Sequence, residues 1–499
     1  MKCSVPSVAP RVWSYVVVGA CVLVLLTGQG CRESSKPAAG TTITLIHQLT
    51  FWSDKGSQQR MNEALKTFTA QSGIRVEVLP APEPAMEQLA AWRSLLAGRA
   101  SVPDVYGIDV VWPEILADEF VDLRTYIPER EIAAHFPEVI ASFSVKGKLV
   151  ALPYTMAVGA LFYRVDLLRQ YGYREPPKNW DELEAMAARI QKGERAKGHA
   201  DFWGYVWPGA PAEALACNAL EWQASEGGGT VIENGTVTVD NPHSVRAWER
   251  AARWSGSISP PGVVAYNEWD SLNLWQAGQA AFMRSWSFAN VILRAPGSPT
   301  RDRFQMAPLP EGRKGVAATF AAAGYGVSRH SRHPREAAML VGFLSSRDQQ
   351  RRNSLITGMP PTIPNLYSDP EVVAENPYLS IHMQVYRKAL IYRPSAATGK
   401  LYPEVSRTYF EAVHSVLTRK TSAAQAAKAL QGTLMQITAL KAPTSSRRKR
   451  RETGNDPDVV RGRRFPCFRR SRAVAAGDAE PGHECYRKDE QLTPAVQNR

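Results

Sequence analysis

The sequence predicts an α/β protein built on largely parallel sheets, and three consecutive segments indicate this. The segment "ITLIHQLTF" alternates apolar residues with the period of a strand. "QQRMNEALKTFTAQSG" then has helical spacing and ends at Gly73, and "IRVEVLP" alternates again. A strand, a helix and a second strand in this order form a β-α-β unit, in which a crossover helix joins parallel strands.

Further elements follow along the chain. The helix "AMEQLAAWRSLLAG" leads into a strand at 104–110, and "FSVKGKLVALPYTM" predicts a hairpin that turns at Gly147. The segment "NWDELEAMAARIQKG" predicts a helix with Asn179 as its N-cap and Glu182 three residues later. "FQMAPLP" and "AATFAAAGYGVS" are strand-like, and helices dominate after Pro334.

The first 41 residues are typical of a secretory signal. Lys2 and Arg11 precede an apolar run, and "GQGC" then places Cys31 before a polar tether. This resembles a bacterial lipoprotein signal, although Gly28 and Gln29 depart from the usual pattern. We therefore predict a signal peptide over 1–30, a lipidated Cys31 with a tether over 31–41, and a lipid-anchored position in the periplasm or on the outer cell membrane face. An uncleaved anchor and soluble secretion are the alternatives.

The charge and the cysteines bound the classes of function. The net charge of +13 is concentrated outside the body, since residues 442–499 hold 14 Lys/Arg and 8 Asp/Glu. The body is therefore not a nucleic-acid binder on charge grounds. The 442–499 tail is interpreted as a disordered basic extension, with an arm for anionic lipid or nucleic acid as the alternative. Of six cysteines only Cys217 belongs to the body, so no internal disulfide is expected there.

The usual catalytic motifs are missing, and no metal or other cofactor is predicted. There is no G-x-S-x-G, H-E-x-x-H, P-loop or C-x-x-C pattern. A carboxylate pair for glycoside hydrolysis stays open, because two such acids need not be close in sequence. The 13 tryptophans favour a sugar ligand, since sugars offer flat C–H faces to aromatic rings and hydroxyls to charged or amide groups.

Several motifs together resemble a known family: "PDVYGIDVVW", "LPYTMAVGALFYRVDLL", "PKNWDELEAMAARIQKGE", "FWGYVWPG", "ISPP", "QAGQAAFMRSW", "MAPLPEG" and "YSDPEVV". In this order, over about 42–440, they resemble the extracellular solute-binding proteins (family 1) of carbohydrate ABC transporters, especially trehalose/maltose-binding lipoproteins. The resemblance implies a type II periplasmic-binding-protein fold with two lobes and a hinge of several strands. It places lobe 1 at 42–154 and 318–372, and lobe 2 at 155–317 and 373–441.

The resemblance also implies the site and the partners. Asp109 would accept hydrogen bonds from sugar hydroxyls, and its position at the carboxyl end of a parallel strand independently agrees. The alternative is that Asp109 caps the helix that begins at Pro113. The other predicted sugar contacts are Trp112, Trp286, Arg393, Gln88, Tyr154, Tyr325, Gln59 and Trp52. The expected partners are importer permease subunits with a cytoplasmic ATPase, and the receptor is expected to be a monomer.

Two departures from the family pattern bear on the ligand. Ala157 replaces a hinge aspartate and Ala323 replaces a second stacking tryptophan. The sequence therefore predicts a carbohydrate ligand without specifying trehalose or maltose, in a cleft that two alanines would enlarge. A sensor role, a non-sugar ligand and a secreted carbohydrate-active enzyme are the competing hypotheses.

Overall fold

The structure is a computed structural model, and it describes residues 40–47, 55–82, 85–287, 289–295 and 297–443. The predicted signal peptide, Cys31, Trp52 and the tail from 444 onward lie outside the described residues. Within the described ranges, no helix combines the length and the apolar character needed to cross a bilayer.

The strands and helices alternate in the first part of the chain, and helices dominate the last part. The strands are β1 Thr42–Ile46, β2 Arg75–Leu79, β3 Val105–Asp109, β4 Ser144–Val145, β5 Lys148–Leu149, β6 Leu152–Arg164, β7 Trp203–Val206, β8 Ile232–Glu233, β9 Thr236–Val237, β10 Ala280–Trp286, β11 Phe304–Ala307, β12 Ala318–Val327 and β13 Leu390–Ile391. The helices are α1 Lys55–Ser72, α2 Ala85–Ala97, α3 Pro113–Leu116, α4 Glu129–Ile132, α5 Pro137–Ser142, α6 Val165–Gln170, α7 Trp180–Ala196, α8 Glu213–Glu226, α9 Pro242–Trp254, α10 Glu268–Gln276, α11 Ala289–Arg294, α12 Pro334–Ser345, α13 Arg347–Thr357, α14 Pro370–Glu375, α15 Leu379–Lys388, α16 Ser395–Thr398, α17 Tyr402–Leu417 and α18 Ala423–Thr438.

One mixed sheet organises these elements. Its strand order is β2-β1-β3-β12-β6-β10-β7, with β11 beside β6 and β13 beside β12. The pairs toward the two ends are parallel, namely β1 with β2, β1 with β3, and β10 with β7. The pairs in the middle, which involve the long strands β6 and β12, are antiparallel. The parallel β-α-β units predicted from the sequence therefore flank a central region that is antiparallel.

The long strand β6 runs between different apolar cores. Its first residues contribute Tyr154 and Met156 to a core formed with β1, β3, α1, α2 and α12. Further along, Leu161 and Tyr163 point into a second core with α7, α8, α9, α17 and α18, while Ala160 and Phe162 point into a third core. This alternation is the period-2 pattern of a strand with both faces buried. A strand shared by separate cores is suited to connect two bodies.

Short-range predictions from the sequence are confirmed. Asn179 caps α7, since its side chain accepts a hydrogen bond from the Glu182 N–H at 2.9 Å. Gly73, at φ +75°, follows the end of α1, and β4 and β5 pair as a hairpin around Gly147 at φ +86°. These positive φ angles explain the glycines, because a side chain is strained there.

Candidate functional site

The sheet brings several predicted residues to one face. Residues directly opposite each other in neighbouring strands point to the same side of a sheet. Asp109 of β3 pairs with Ala323 of β12, and Ala321 of β12 pairs with Ala157 of β6. Trp286 of β10 pairs with Gly159 of β6, two residues after Ala157. The face therefore carries an acid at one side, alanines in the middle and a tryptophan at the other side.

Asp109 is the last residue of β3, and its carboxylate does not cap the helix that follows. Its Oδ1 accepts a hydrogen bond from the Val111 N–H at 3.1 Å. The N-cap position of α3 is Trp112, which makes no side-chain capping bond, and Pro113 begins the helix. The Trp112 side chain is buried in the first core. The capping alternative for Asp109 therefore has no support in the local geometry.

Arg393 lies between two carboxylates that come from distant parts of the chain. Its Nη1 donates to Glu213 Oε1 at 2.8 Å, and its Nη2 is 3.6 Å from Asp109 Oδ1. The Arg393 side chain is 5% exposed, whereas Asp109 and Glu213 are 19% and 18% exposed. Its Nε has no hydrogen-bond partner among the described residues. The group thus combines a forked donor with two acceptors that water still reaches.

Glu213 is the carboxylate to which Arg393 donates its shorter contact. It is the first residue of α8, where the helix dipole favours a negative charge. Besides Arg393, its carboxylate accepts a hydrogen bond from Ser406 Oγ at 2.7 Å and another from the Tyr402 hydroxyl. Burial, reinforced by the Glu213 charge, raises the pKa of Tyr402, so this hydroxyl remains a donor.

Helix α8 presents one residue per turn to the sheet face: Glu213, Cys217 and Glu221. Cys217 packs in an apolar cluster with Ala157, Ala321 and Trp286. Burial raises the pKa of the Cys217 thiol to about 12, so it behaves as a small apolar side chain. The stripe places a carboxylate on each side of an apolar patch, and the second carboxylate, Glu221, bonds to Arg284.

Trp286 lies at the end of β10 and is 8% exposed. The Arg284 guanidinium lies over its ring, with Cζ 4.1 Å from the ring centroid. Sequence reasoning predicted Trp286 but missed Glu213, Glu221 and Arg284. The available signal was the eight-residue spacing of Glu213 and Glu221, about two helical turns, with largely apolar residues between them.

The remaining predicted contacts lie elsewhere or outside the described residues. Gln59 is exposed on α1 and donates to Glu63 within its own helix at 3.2 Å. Gln88 is buried on α2 and donates to the Pro82 carbonyl at 2.7 Å. Tyr154 and Tyr325 stack on each other at 4.5 Å and line a small cavity beside α1 and α13. The sugar-binding role of these four residues stays a prediction, as does that of Trp52.

Two cavities help to define the site. A cavity of about 600 Å³ lies at the far end of β6 and is lined by Arg164, Asp166, Glu194 and other residues, none of which belongs to the Asp109 group. A cavity of about 10 Å³, enough for one water, lies between β6 and β12 and is lined in part by Ala157 and Ala323. The strands therefore pack closely at the two alanines, and an enlarged cleft there stays a prediction.

Comparisons with known proteins agree on a family. Residues 63–379, more than half of the chain, match the family described as "Bacterial extracellular solute-binding protein". A protein of Deinococcus radiodurans described as "Probable ABC transporter-binding protein" is 39% identical over 393 residues, which is 78% of this chain and 93% of the relative.

Solved structures show the same fold. The maltose-bound MalE3 of T. maritima has a TM-score of 0.74 and 32% identity, and the match covers 80% of this chain and 100% of that one. A solute-binding protein of Thermotoga lettingae bound with alpha-D-tagatose has a TM-score of 0.71 and 20% identity, with coverage of 80% and 100%. The predicted α/β two-lobe fold class is confirmed, and the chain belongs to the bacterial extracellular solute-binding protein family.

Proposed function

We propose that this protein is the extracytoplasmic carbohydrate receptor of an ABC importer. It captures a sugar in the cleft between its two lobes and delivers it to the membrane permease, which a cytoplasmic ATPase drives. The observation that carries the proposal is the Asp109–Arg393–Glu213 group at the carboxyl end of β3. The maltose-bound relative at 32% identity supports a sugar as the ligand class.

The chemistry of the group suits a ring of hydroxyls. A sugar hydroxyl donates one hydrogen bond and accepts others, so it pairs well with a carboxylate on one side and a guanidinium on the other. Asp109 and Glu213 supply acceptors that are still partly exposed, and Arg393 supplies the donors. Trp286, at the other side of the same sheet face, supplies a flat apolar surface for the C–H groups of a sugar.

The proposed lobes are those the sequence suggests, 42–154 with 318–372 and 155–317 with 373–441. On this division Asp109 belongs to lobe 1, whereas Arg393 and Glu213 belong to lobe 2, so the 3.6 Å contact between Asp109 and Arg393 crosses the cleft. A ligand that bonds both sides favours the closed arrangement by the difference in its affinity for the two states.

The two alanines in the middle of the sheet face bear on which sugar can bind. Ala157 and Ala323 offer neither the acceptor nor the aromatic surface that the resemblance to trehalose/maltose binders implies. Each missing hydrogen bond that leaves a ligand hydroxyl unpaired costs about 1–3 kcal/mol. We therefore propose one of two ligands. The first is a trehalose- or maltose-like sugar that binds more weakly than maltose binds to its dedicated receptors, and the second is an oligosaccharide of different shape.

The proposed location is the outer face of the cell membrane or the periplasm, with a lipid on Cys31. The signal-like sequence of residues 1–30 supports it. Metabolic labelling with a fatty acid tests this point separately from ligand binding, because the parent should incorporate the label and Cys31→Ser should not. A parent that incorporates no label contradicts the lipid anchor.

A thermal-shift screen over mono-, di- and oligosaccharides tests the proposed function. A specific sugar at about 100 times its Kd stabilises the folded state by about 2.7 kcal/mol, which raises Tm by a few degrees. The binding sugar should be recovered intact after incubation, as expected of a receptor. The absence of a shift with every carbohydrate in the panel contradicts the sugar-receptor function.

A further inference from the structure

A fully buried ion pair lies directly beneath Trp286. Arg284 Nε and Nη2 donate to the two carboxylate oxygens of Glu221 at 2.9 and 2.6 Å. The two side chains are 1% and 0% exposed. Because the fork of the guanidinium matches the two oxygens, the plane of the guanidinium is fixed relative to helix α8.

The pair also holds the long strand β12. The Thr319 N–H donates to Glu221 Oε1 at 3.0 Å, and the Thr319 hydroxyl donates to the same oxygen at 2.5 Å. A Cβ on Gly159 of β6 would lie 2.1 Å from this Glu221 oxygen, so the glycine permits the carboxylate to reach the sheet. One carboxylate thus ties α8 to β10 and β12 and approaches β6.

Such a pair is a poor way to gain stability. Taking two charges out of water costs several kcal/mol each, and apolar residues of similar volume are often as stabilising or more so. Arg284 Nη1, moreover, has no hydrogen-bond partner among the described residues, which adds a further cost. The pair therefore calls for an explanation other than stability.

The Arg284 side chain of this ion pair contacts the indole ring of Trp286. The guanidinium lies 4.1 Å from the ring centroid, a cation–π distance, on a residue two positions earlier in the same strand. A buried guanidinium fixed at both oxygens of Glu221 offers the ring a flat support with one orientation. An apolar side chain of similar size would fill the space but would leave the angle of the ring less restricted.

We infer that Glu221 and Arg284 are positioning residues that fix the ring plane of Trp286 as the stacking surface for the ligand and connect that surface to β12. The ligand part of this inference rests on the proposed sugar-receptor function, whereas the placement of the ring does not. Neither residue touches the sugar; both act through Trp286.

The decisive variant is Glu221→Met/Arg284→Met, which removes both charges together and leaves no buried charge unpaired. It should fold with a Tm near that of the parent and bind the sugar found in the screen about tenfold more weakly, equivalent to about 1.4 kcal/mol. Arg284→Lys, which retains a cation opposite Glu221, should recover part of the lost affinity. Arg164→Met is the matched control, because Arg164 also pairs bidentately with a carboxylate, that of Asp166, but at the far end of β6.

A measurement that needs no ligand separates the placement of the Trp286 ring from the proposed sugar-receptor function. The near-UV circular dichroism of Trp286 is isolated by subtracting the spectrum of the Trp286→Phe derivative in the parent and in the double Met background. The difference band should lose more than half of its intensity in the double Met background and none in Arg164→Met. If this happens while the parent binds no sugar, the proposed function fails and the placement of Trp286 stands.

An unchanged Trp286 band together with unchanged affinity in the double variant overturns the inference. If the double variant does not fold, Arg284→Lys decides: a changed Trp286 band with weakened binding supports the positioning role, and parental values for both overturn it.

Discussion

Two arginines bond to glutamates two turns apart on the same face of α8, and their surroundings differ. Arg284 and Glu221 are closed off from water, and both carboxylate oxygens are engaged. Arg393 bonds Glu213 but reaches Asp109 only at 3.6 Å, and both acids remain partly exposed. The two pairs therefore differ in their access to water, and we propose that the closed pair supports Trp286 whereas the open pair can exchange its bonds for bonds to the ligand.

The largest expected effect is at the closed pair. Glu221→Ala leaves the Arg284 charge buried without its partner and should lower the free energy of unfolding by about 3–5 kcal/mol. Chemical denaturation monitored by far-UV circular dichroism measures this. A loss no larger than that of the exposed control Lys400→Ala, whose ion pair with Asp118 lies in solvent, contradicts the distinction between the two sites.

The next largest effect is on ligand affinity. Asp109→Ala removes an acceptor at the carboxyl end of β3 and should weaken sugar binding about 100-fold, equivalent to about 2.7 kcal/mol, with a small change in Tm. Isothermal titration calorimetry with the sugar from the screen measures it. Asp118→Ala, which removes an exposed acid outside the group, is the control and should bind as the parent does. Parental affinity in Asp109→Ala means that the site is misplaced.

The features that the sequence predicts correctly are those that depend on local spacing. The Asn179 cap and the Gly147 turn depend on neighbours a few residues away, so the sequence pattern predicts them. The resemblance predicts both Asp109 and Arg393, and for Asp109 the place at a strand end agrees independently. The contact between Arg393 and Glu213 joins residues 180 positions apart, which only the folded chain brings together.

Side-chain contacts and strand directions go beyond local spacing. Gln59 donates to Glu63 four residues later in its own helix, and its sugar contact stays a prediction. The middle pairs of the sheet are antiparallel, although the sequence indicates parallel strands, because strand direction in a hinge depends on the path of the chain between distant segments.

A smaller effect is expected when the open pair is broken. Glu213→Ala takes an acceptor from Arg393, Tyr402 and Ser406, and should lower the free energy of unfolding by about 1–2 kcal/mol. The loss is smaller than at Glu221 because water reaches Glu213 and can replace part of its bonding. Denaturation of Glu213→Ala and Glu221→Ala under identical conditions compares them, and equal losses would show that access to water does not distinguish the two arginines.

The smallest expected effect is on the pH dependence of stability, through the pKa of Glu268. Burial raises the pKa of Glu268 above its ordinary 4.5, the nearby Arg284 opposes the rise, and Glu213 adds to it. The folded state then holds this proton more tightly than the unfolded state, so the contribution to stability is complete below pH 4.5 and is lost as pH rises through the folded pKa. Denaturation over a pH series should show this decline in the parent and not in Glu268→Gln. Glu213→Gln should move the decline to lower pH, because it removes a negative charge that helps to raise the Glu268 pKa, and an unchanged decline would contradict the influence of Glu213 on Glu268.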